Sequence, residues 1–203
     1  MHRIPTSLAW LLALALACGG WGCGGSSSGG GVPPATGSTS GGDTDPTLGS
    51  RFWYVGDAFG QPLKTHTAAE STDANDVLTQ LNAYRVANGL NALTLDAEAT
   101  RAAKAHAEDM QGRDYFSHQT PAPENWDPGD RLSLLGASGY SGWGENIARG
   151  QQTPTDVMTA WQNSPGHDAN MLNPNWTHVG VGVEHDGVNP SGPYWVQVFL
   201  RRP

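Results

Sequence analysis

Residues 143–172 read WGENIARGQQTPTDVMTAWQNSPGHDANML. The middle of this stretch is a helix written with its punctuation. Thr153 stands where a cap belongs, Pro154 takes the first helical position and Asp156 the third, and Val157, Ala160 and Trp161 recur on one side. Ser164 and Pro165 repeat the device and predict a second, shorter helix over GHDANML. Glu145 lies near the start of the stretch and His167 near its end. With His118 of DYFSH upstream, they make two imidazoles and a carboxylate, each read as lying on a short turn flanked by Gly or Ser. No other part of the chain groups chemistry of this kind.

Downstream, HVGVGVE alternates Val179, Val181 and Val183 with glycine, and YWVQVFL is apolar on both faces, as a strand covered on two sides should be. The turn residues DGVNPSGP between them predict an antiparallel hairpin. Upstream, Asp73 with Asp76 is positioned to cap a helix carrying Val77, Leu78, Leu81 and Tyr84 on one face and stopping at Gly89. A second helix is expected from Asp96 to about Gly112, with Ala99, Ala102, Ala103, His106 and Met110 inward. Small residues on that stripe allow close approach to a neighbour, and His106 on it reads as a packed core histidine. A Pro- and Gly-rich loop follows, with one short helix expected from Asp130 to Leu135. Helices first and strands last, with helical segments on both sides of a sheet, indicate an α/β sandwich.

The chain has 203 residues, enough for one ordinary domain plus appendages. With 19 Asp and Glu against 11 Lys and Arg, and no basic stripe along a helix, nucleic acid is not an expected partner. Arg3 precedes the apolar run LAWLLALALA, too short to span a bilayer as a mature helix, so residues 1–23 read as an export segment. Ala17 before Cys18 matches the small residue that precedes the lipidated cysteine in bacterial lipoprotein signals, which makes Cys18 the candidate anchor. The alternative is an ordinary cleaved signal with two incidental cysteines. Both readings place the domain outside the cytoplasm, touching membrane only through its N-terminus. Cys18 and Cys23 are the chain's two cysteines, so no disulfide framework is available to the domain.

Residues 24–50 are a Gly/Ser/Pro linker almost without large apolar groups, expected to be disordered and to reach roughly 30 Å. Residues 51–72, with Phe52, Trp53, Tyr54 and Phe59, read as a lead-in arm lying against the domain, or alternatively as a separate recognition strand. The globular domain is assigned to residues 73–203. NWT at 175–177 has the form of a glycosylation acceptor, without meaning in a bacterial-type exported chain. Asp168, Glu184, His185 and Asp186 are expected on solvated turns.

Asn82 and Arg85, FSH at 116–118, GENIARG at 144–150, WQNSPGH at 161–167 followed by NML, and VGVGV at 179–183 together resemble the CAP superfamily, also called SCP or PR-1-like proteins, in its bacterial branch. The resemblance implies a three-layer α-β-α sandwich with a central cleft holding two histidines and two glutamates, the histidines able to bind a divalent metal. Carried over, the histidines are His118 and His167, the first glutamate is Glu145, and Ser164 replaces the second.

Two histidines are good zinc ligands, but a catalytic zinc normally has three protein ligands and an open position. Glu145 is then either the third ligand, or the group holding a bound water and the candidate catalytic base. A Ser164 nucleophile served by His167 is a weaker option, because Ser164 is already explained as a cap. Two functions stand. One is an extracytoplasmic non-catalytic binding module that takes a small apolar ligand, an envelope component or a protein, with a weakly held divalent metal such as zinc at His118, His167 and Glu145. The other is a metal-dependent hydrolase of peptide or cell-envelope glycan.

Overall fold

The structure, a computed structural model, describes residues 65–185 and 192–203. The export segment with Cys18, the linker, residues 51–64, and residues 186–191 with Asp186 lie outside the described residues.

Helix α1 spans Ala68–Ala87. Its cap is Thr67, which corrects the expected cap at Asp73 and moves the start of the domain into the presumed arm. Thr67 Oγ1 accepts the Glu70 N–H at 3.3 Å, and Glu70 Oε2 accepts the Thr67 N–H at 2.8 Å. This reciprocal pair satisfies two donors that a helix start otherwise leaves unbonded. Val77 and Leu81 are buried, and the chain reverses after Ala87 with Gly89 at φ 76°.

Strand β1 (Thr94–Leu95) follows, then α2 (Ala97–Gly112), where Asp96 Oδ1 accepts the Ala99 N–H at 2.8 Å. Helix α3 spans Pro128–Leu134, earlier than expected, because Asp127 and Asp130 form a second reciprocal cap with Pro128 just inside it. Strand β2 (Trp143–Arg149), α4 (Pro154–Gln162), α5 (Pro165–Met171), β3 (His178–Glu184) and β4 (Tyr194–Leu200) complete the order. Thr153 caps α4 through the Asp156 N–H at 3.1 Å. Ser164 occupies the cap position of α5 but makes no side-chain cap bond, so its reading as a functioning cap is corrected.

The strands lie in the order β1-β3-β4-β2, with β1 parallel to β3 and the other pairs antiparallel. Period-two alternation then builds a core on each face. Val179, Val181 and Val183 of β3, with Trp195 and Phe199 of β4, meet Val77 and Leu81 of α1 and Val157, Met158 and Trp161 of α4. On the opposite face, Tyr194, Val196, Val198 and Leu200 meet Ala99, Ala102, Ala103 and Met110 of α2 and Leu132 of α3.

The glycines of β3 explain how α2 seats there. A Cβ at Gly180 would stand 2.1 Å from the Ala99 carbonyl carbon, and one at Gly182 would stand 2.1 Å from that of Ala103. Strand glycine and helix alanine together bring backbone onto backbone. The result is the α/β sandwich that the residue pattern predicts, in the three-layer α-β-α form that the family resemblance implies.

A buried ion cluster ties the layers together at one end of the sheet. Lys104 Nζ lies 3.0 Å from Glu70, 3.2 Å from Glu108 and 2.8 Å from Glu184, and donates to the Val183 carbonyl at 2.9 Å. Burial lowers the ammonium's proton affinity, but the carboxylates of Glu184, Glu108 and Glu70 more than restore it, so Lys104 stays charged. Glu184 is therefore not the solvated turn residue expected. His185 lies 2.9 Å from Asp73, and Asp168 accepts the Tyr84 hydroxyl at 2.8 Å. Each of the three has a partner on α1 or α2, which the local sequence around it does not reveal.

Candidate functional site

Glu145 lies on edge strand β2, not on a turn. Around it, the three residues Gly144-Glu145-Asn146 divide the work between two faces. Gly144 leaves room where a Cβ would stand 2.6 Å from Asn170 Oδ1. Asn146 points to the α5 face, donating to the His167 carbonyl at 3.2 Å and to Gln197 Oε1 at 3.1 Å, while Asn170 donates to Asn146 Oδ1 at 3.0 Å. Trp176 adds its indole N–H to the Asn170 carbonyl at 3.0 Å. The helix carrying His167 is thus pinned to β2 by amide side chains.

Glu145 points to the other face, toward α2 and α3. Its Oε2 receives Arg131 Nη2 at 2.6 Å and its Oε1 receives His118 Nδ1 at 2.9 Å. His106 Nε2 stands 3.8 Å from Oε1. Burial pushes the Glu145 carboxyl up, but the Arg131 guanidinium, followed by His106 and His118, more than offsets this and holds it at about 2. Glu145 is therefore a carboxylate with both oxygens engaged.

The loop bearing His118 is fastened by the same buried groups. Arg131 Nη1 donates to the His118 carbonyl at 2.7 Å and to that of Trp126 at 3.2 Å. His106 lies 3.0 Å from the Ser117 carbonyl through Nε2, and since a carbonyl only accepts, Nε2 carries the proton. Burial, reinforced by Arg131, drives His106 down to about 3, so it is a neutral core histidine as predicted, with the added task of holding the Ser117 and His118 backbone.

At His118 itself, the Glu145 carboxylate accepts from Nδ1 and orients the ring, so that Nε2 is the nitrogen left to face a ligand. That side chain is 51% exposed. His167 is half-buried on α5, and burial together with nearby His118 lowers its proton affinity, which keeps it neutral at pH 7.

The structure thus brings His118 and Glu145 into contact across the α2 face and sets His167 near His118 from the α5 face. It does not place Glu145 as a third metal ligand or as a free base, because Arg131 and His118 occupy its oxygens. Among the described residues, no group of three or more His, Cys, Asp or Glu side chains is arranged to hold a metal ion. His118 and His167 remain as the two imidazoles of the site, with Glu145 behind His118. Sequence reading misses Arg131 and Asn146. Arg131 has one available signal, since it follows the strong Asp127-Pro128 helix start and precedes Leu132, on the side that must turn inward.

The pH dependence of stability follows from these groups. Glu145 binds its proton more weakly folded than unfolded, so its contribution is complete above pH 4.5 and disappears as the pH falls toward 2. His106 is neutral when folded, so its contribution is complete above 6.5 and is lost as the pH falls toward 3. Both act in one direction. Urea unfolding followed through a pH series should show stability falling steadily below pH 6.5, with about 3 kcal/mol from Glu145 alone. Glu145→Gln should flatten the most acidic part of that curve. An unchanged acid limb in that variant contradicts the assignment.

Comparison with known proteins agrees with the geometry. The model of the CAP, or cysteine-rich secretory protein, family matches residues 78–199. The chain is similar to the uncharacterized protein YkwD of Bacillus subtilis (strain 168), being 40% identical over 146 residues, which is 70% of this chain and 54% of that protein. It therefore spans about half the length of that relative.

Among solved structures, it is similar to an extracellular protein containing a SCP domain from Bacillus anthracis str. Ames, with TM-score 0.60 and 28% identity over 68% of this chain and 45% of the other. An outer surface protein from Borrelia burgdorferi shares the fold, with TM-score 0.60 and 20% identity over 69% of this chain and all of its own (100%). With its two-faced Gly144-Glu145-Asn146 strand, its histidine on either side and a family match running from α1 into β4, the chain belongs to the bacterial-type CAP family.

Proposed function

We propose that this chain is an exported, non-catalytic binding module whose cleft holds a divalent metal weakly on His118 and His167. The observation that carries this reading is the double engagement of Glu145 by Arg131 at 2.6 Å and His118 at 2.9 Å. A general base must have an oxygen within reach of the proton it takes and an affinity suited to neutral pH. Glu145 has neither. Its role is to orient His118, as carboxylates behind ligating histidines do. Export is supported by the N-terminal apolar run and by the extracellular description of the Bacillus anthracis relative. Lipid attachment at Cys18 is part of the same proposal.

Two imidazoles fit zinc in ligand type and fall short in number. When bound, the metal would supply a coordination point for an electron-rich group of the partner. Titration of the full chain with zinc, with elemental analysis of the purified protein, should show weak binding that His118→Ala or His167→Ala removes. Glu145→Gln should weaken it about tenfold or more, the usual cost of losing a partner behind a ligand. Chelator-sensitive hydrolysis of peptide or cell-envelope glycan, lost in the two histidine variants, would overturn this reading in favour of the hydrolase.

A further inference from the structure

Edge strand β2 presents main chain as well as side chains along its outer edge. The bonds flanking its ladder with β4 run from the Arg201 N–H to the Gly142 carbonyl and from the Gly150 N–H to the Pro193 carbonyl, both at 2.9 Å. By the alternation of an antiparallel ladder, Gly144, Asn146 and Ala148 exchange bonds with β4. Trp143, Glu145, Ile147 and Arg149 therefore turn their N–H and C=O groups away from the sheet. Trp161 agrees with this parity, since its indole N–H reaches the Ile147 carbonyl at 3.3 Å.

No described residue bonds the outward groups of Trp143 or Glu145. Glu145 is buried, 9% exposed as a whole and 2% in its side chain, so what solvent touches of it is mostly backbone. Open donors and acceptors on an edge strand are a template for another strand.

The chemistry of the occupant follows from Arg149, whose side chain stands on the same face of β2 as Glu145. Its guanidinium lies 5.3 Å from the Phe116 ring and 5.9 Å from the Tyr194 ring, and makes no ion pair with any described residue. Phe116 is 44% exposed and Trp143 38% exposed, which flanks the open backbone with aromatic surface. A cation with ring contacts but no carboxylate partner among the described residues, beside such an edge, selects an extended segment that carries a carboxylate. Trp161 at Ile147 ends the ladder, so the pairing has few rungs and the affinity is expected to be modest.

We propose that the outer edge of β2 docks an extended peptide, which pairs with the main chain at Trp143 and Glu145 and sets a carboxylate against Arg149. This deepens the binding-module reading, on which it rests, by naming the partner class, and it needs no metal.

The test uses the full chain, isotopically labelled, in excess EDTA, with blocked octapeptides of alternating Thr and Val containing one Glu. Binding should shift the Trp143 and Glu145 amide signals. N-methylation of the peptide's pairing amides should weaken it about tenfold, the worth of one or two main-chain hydrogen bonds. Exchanging the peptide's Glu for Lys should weaken it further, and Arg149→Gln should abolish the preference between the two.

Trp143→Pro removes one outward N–H at a position where an edge strand tolerates proline, so it should block docking while the β3 and β4 signals stay in place. No binding at millimolar peptide, equal binding of the methylated peptide, or signal changes confined to other elements would overturn the proposal. If zinc titration fails while the peptide still pairs, the metal part of the functional reading falls and the docking edge stands. Peptide binding seen only when zinc is restored overturns the docking edge.

Discussion

Arg131→Ala is expected to destabilise the folded chain by about 3–5 kcal/mol, the usual cost of stranding one partner of a buried ion pair. The guanidinium is almost wholly buried and bonds Glu145, the His118 carbonyl and the Trp126 carbonyl together. Removing it leaves a carboxylate in a low-dielectric interior and two carbonyls without their donor. Urea unfolding monitored by tryptophan fluorescence measures the loss directly.

The companion experiment separates the pair's net worth from the cost of breaking it. In the double variant Arg131→Met with Glu145→Leu no charge of the pair is left buried, and most of the lost stability should return. Arg131→Lys should recover only part, because an ammonium cannot present the forked set of donors that reaches a carboxylate and two carbonyls at once. A single-variant loss below about 1 kcal/mol would mean that Glu145 swings out to water, and the description of it as a fixed orienting group would be wrong.

The second large effect is expected at Gly182. Overpacking a core commonly costs about 1–3 kcal/mol, and more when the obstacle cannot yield. At Gly182 the obstacle is the α2 backbone, with the Ala103 carbonyl carbon at 2.1 Å and the Lys104 nitrogen at 2.3 Å from the added carbon. Gly182→Ala should therefore cost about 3 kcal/mol or more, and Gly180→Ala a similar amount.

Gly166 is the matched control, since nothing lies within 4 Å of a Cβ built there and it sits inside α5. Gly166→Ala should be neutral or stabilise by up to about 1 kcal/mol. Thermal unfolding of the three variants side by side checks the ranking. If Gly182→Ala unfolds near the parent, helix and strand are not in backbone contact.

Much of this architecture is readable from residues alone, and the exceptions have a common cause. Thr153-Pro154 and Asp96 announce their helices because caps act through local bonds. The alternating valines and glycines of β3 announce a strand with two different faces. Strand β2 is silent because Glu145 on one face and Gly144 and Asn146 on the other serve the site, which removes the alternation a strand normally shows.

The start of α1 is easily misplaced because Asp73 and Asp76 imitate a cap that Thr67 and Glu70 make reciprocally. Arg131 escapes notice because charge in a short helix normally faces water, and only its partner from a distant strand explains its burial. The two histidines are visible from their setting in FSH and NSPGH. The engagement of Glu145 is not, since it depends on a guanidinium from another element.

Strands β3 and β4 belong to both cores at once, with Val181 serving one side and its neighbour Gly182 the other. Neither half of the interior can come apart without exposing the back of the sheet that supports the other. Partial opening on this scaffold is thus confined to the periphery, and the domain melts as one cooperative unit held by non-covalent forces, indifferent to whether its surroundings oxidise or reduce thiols.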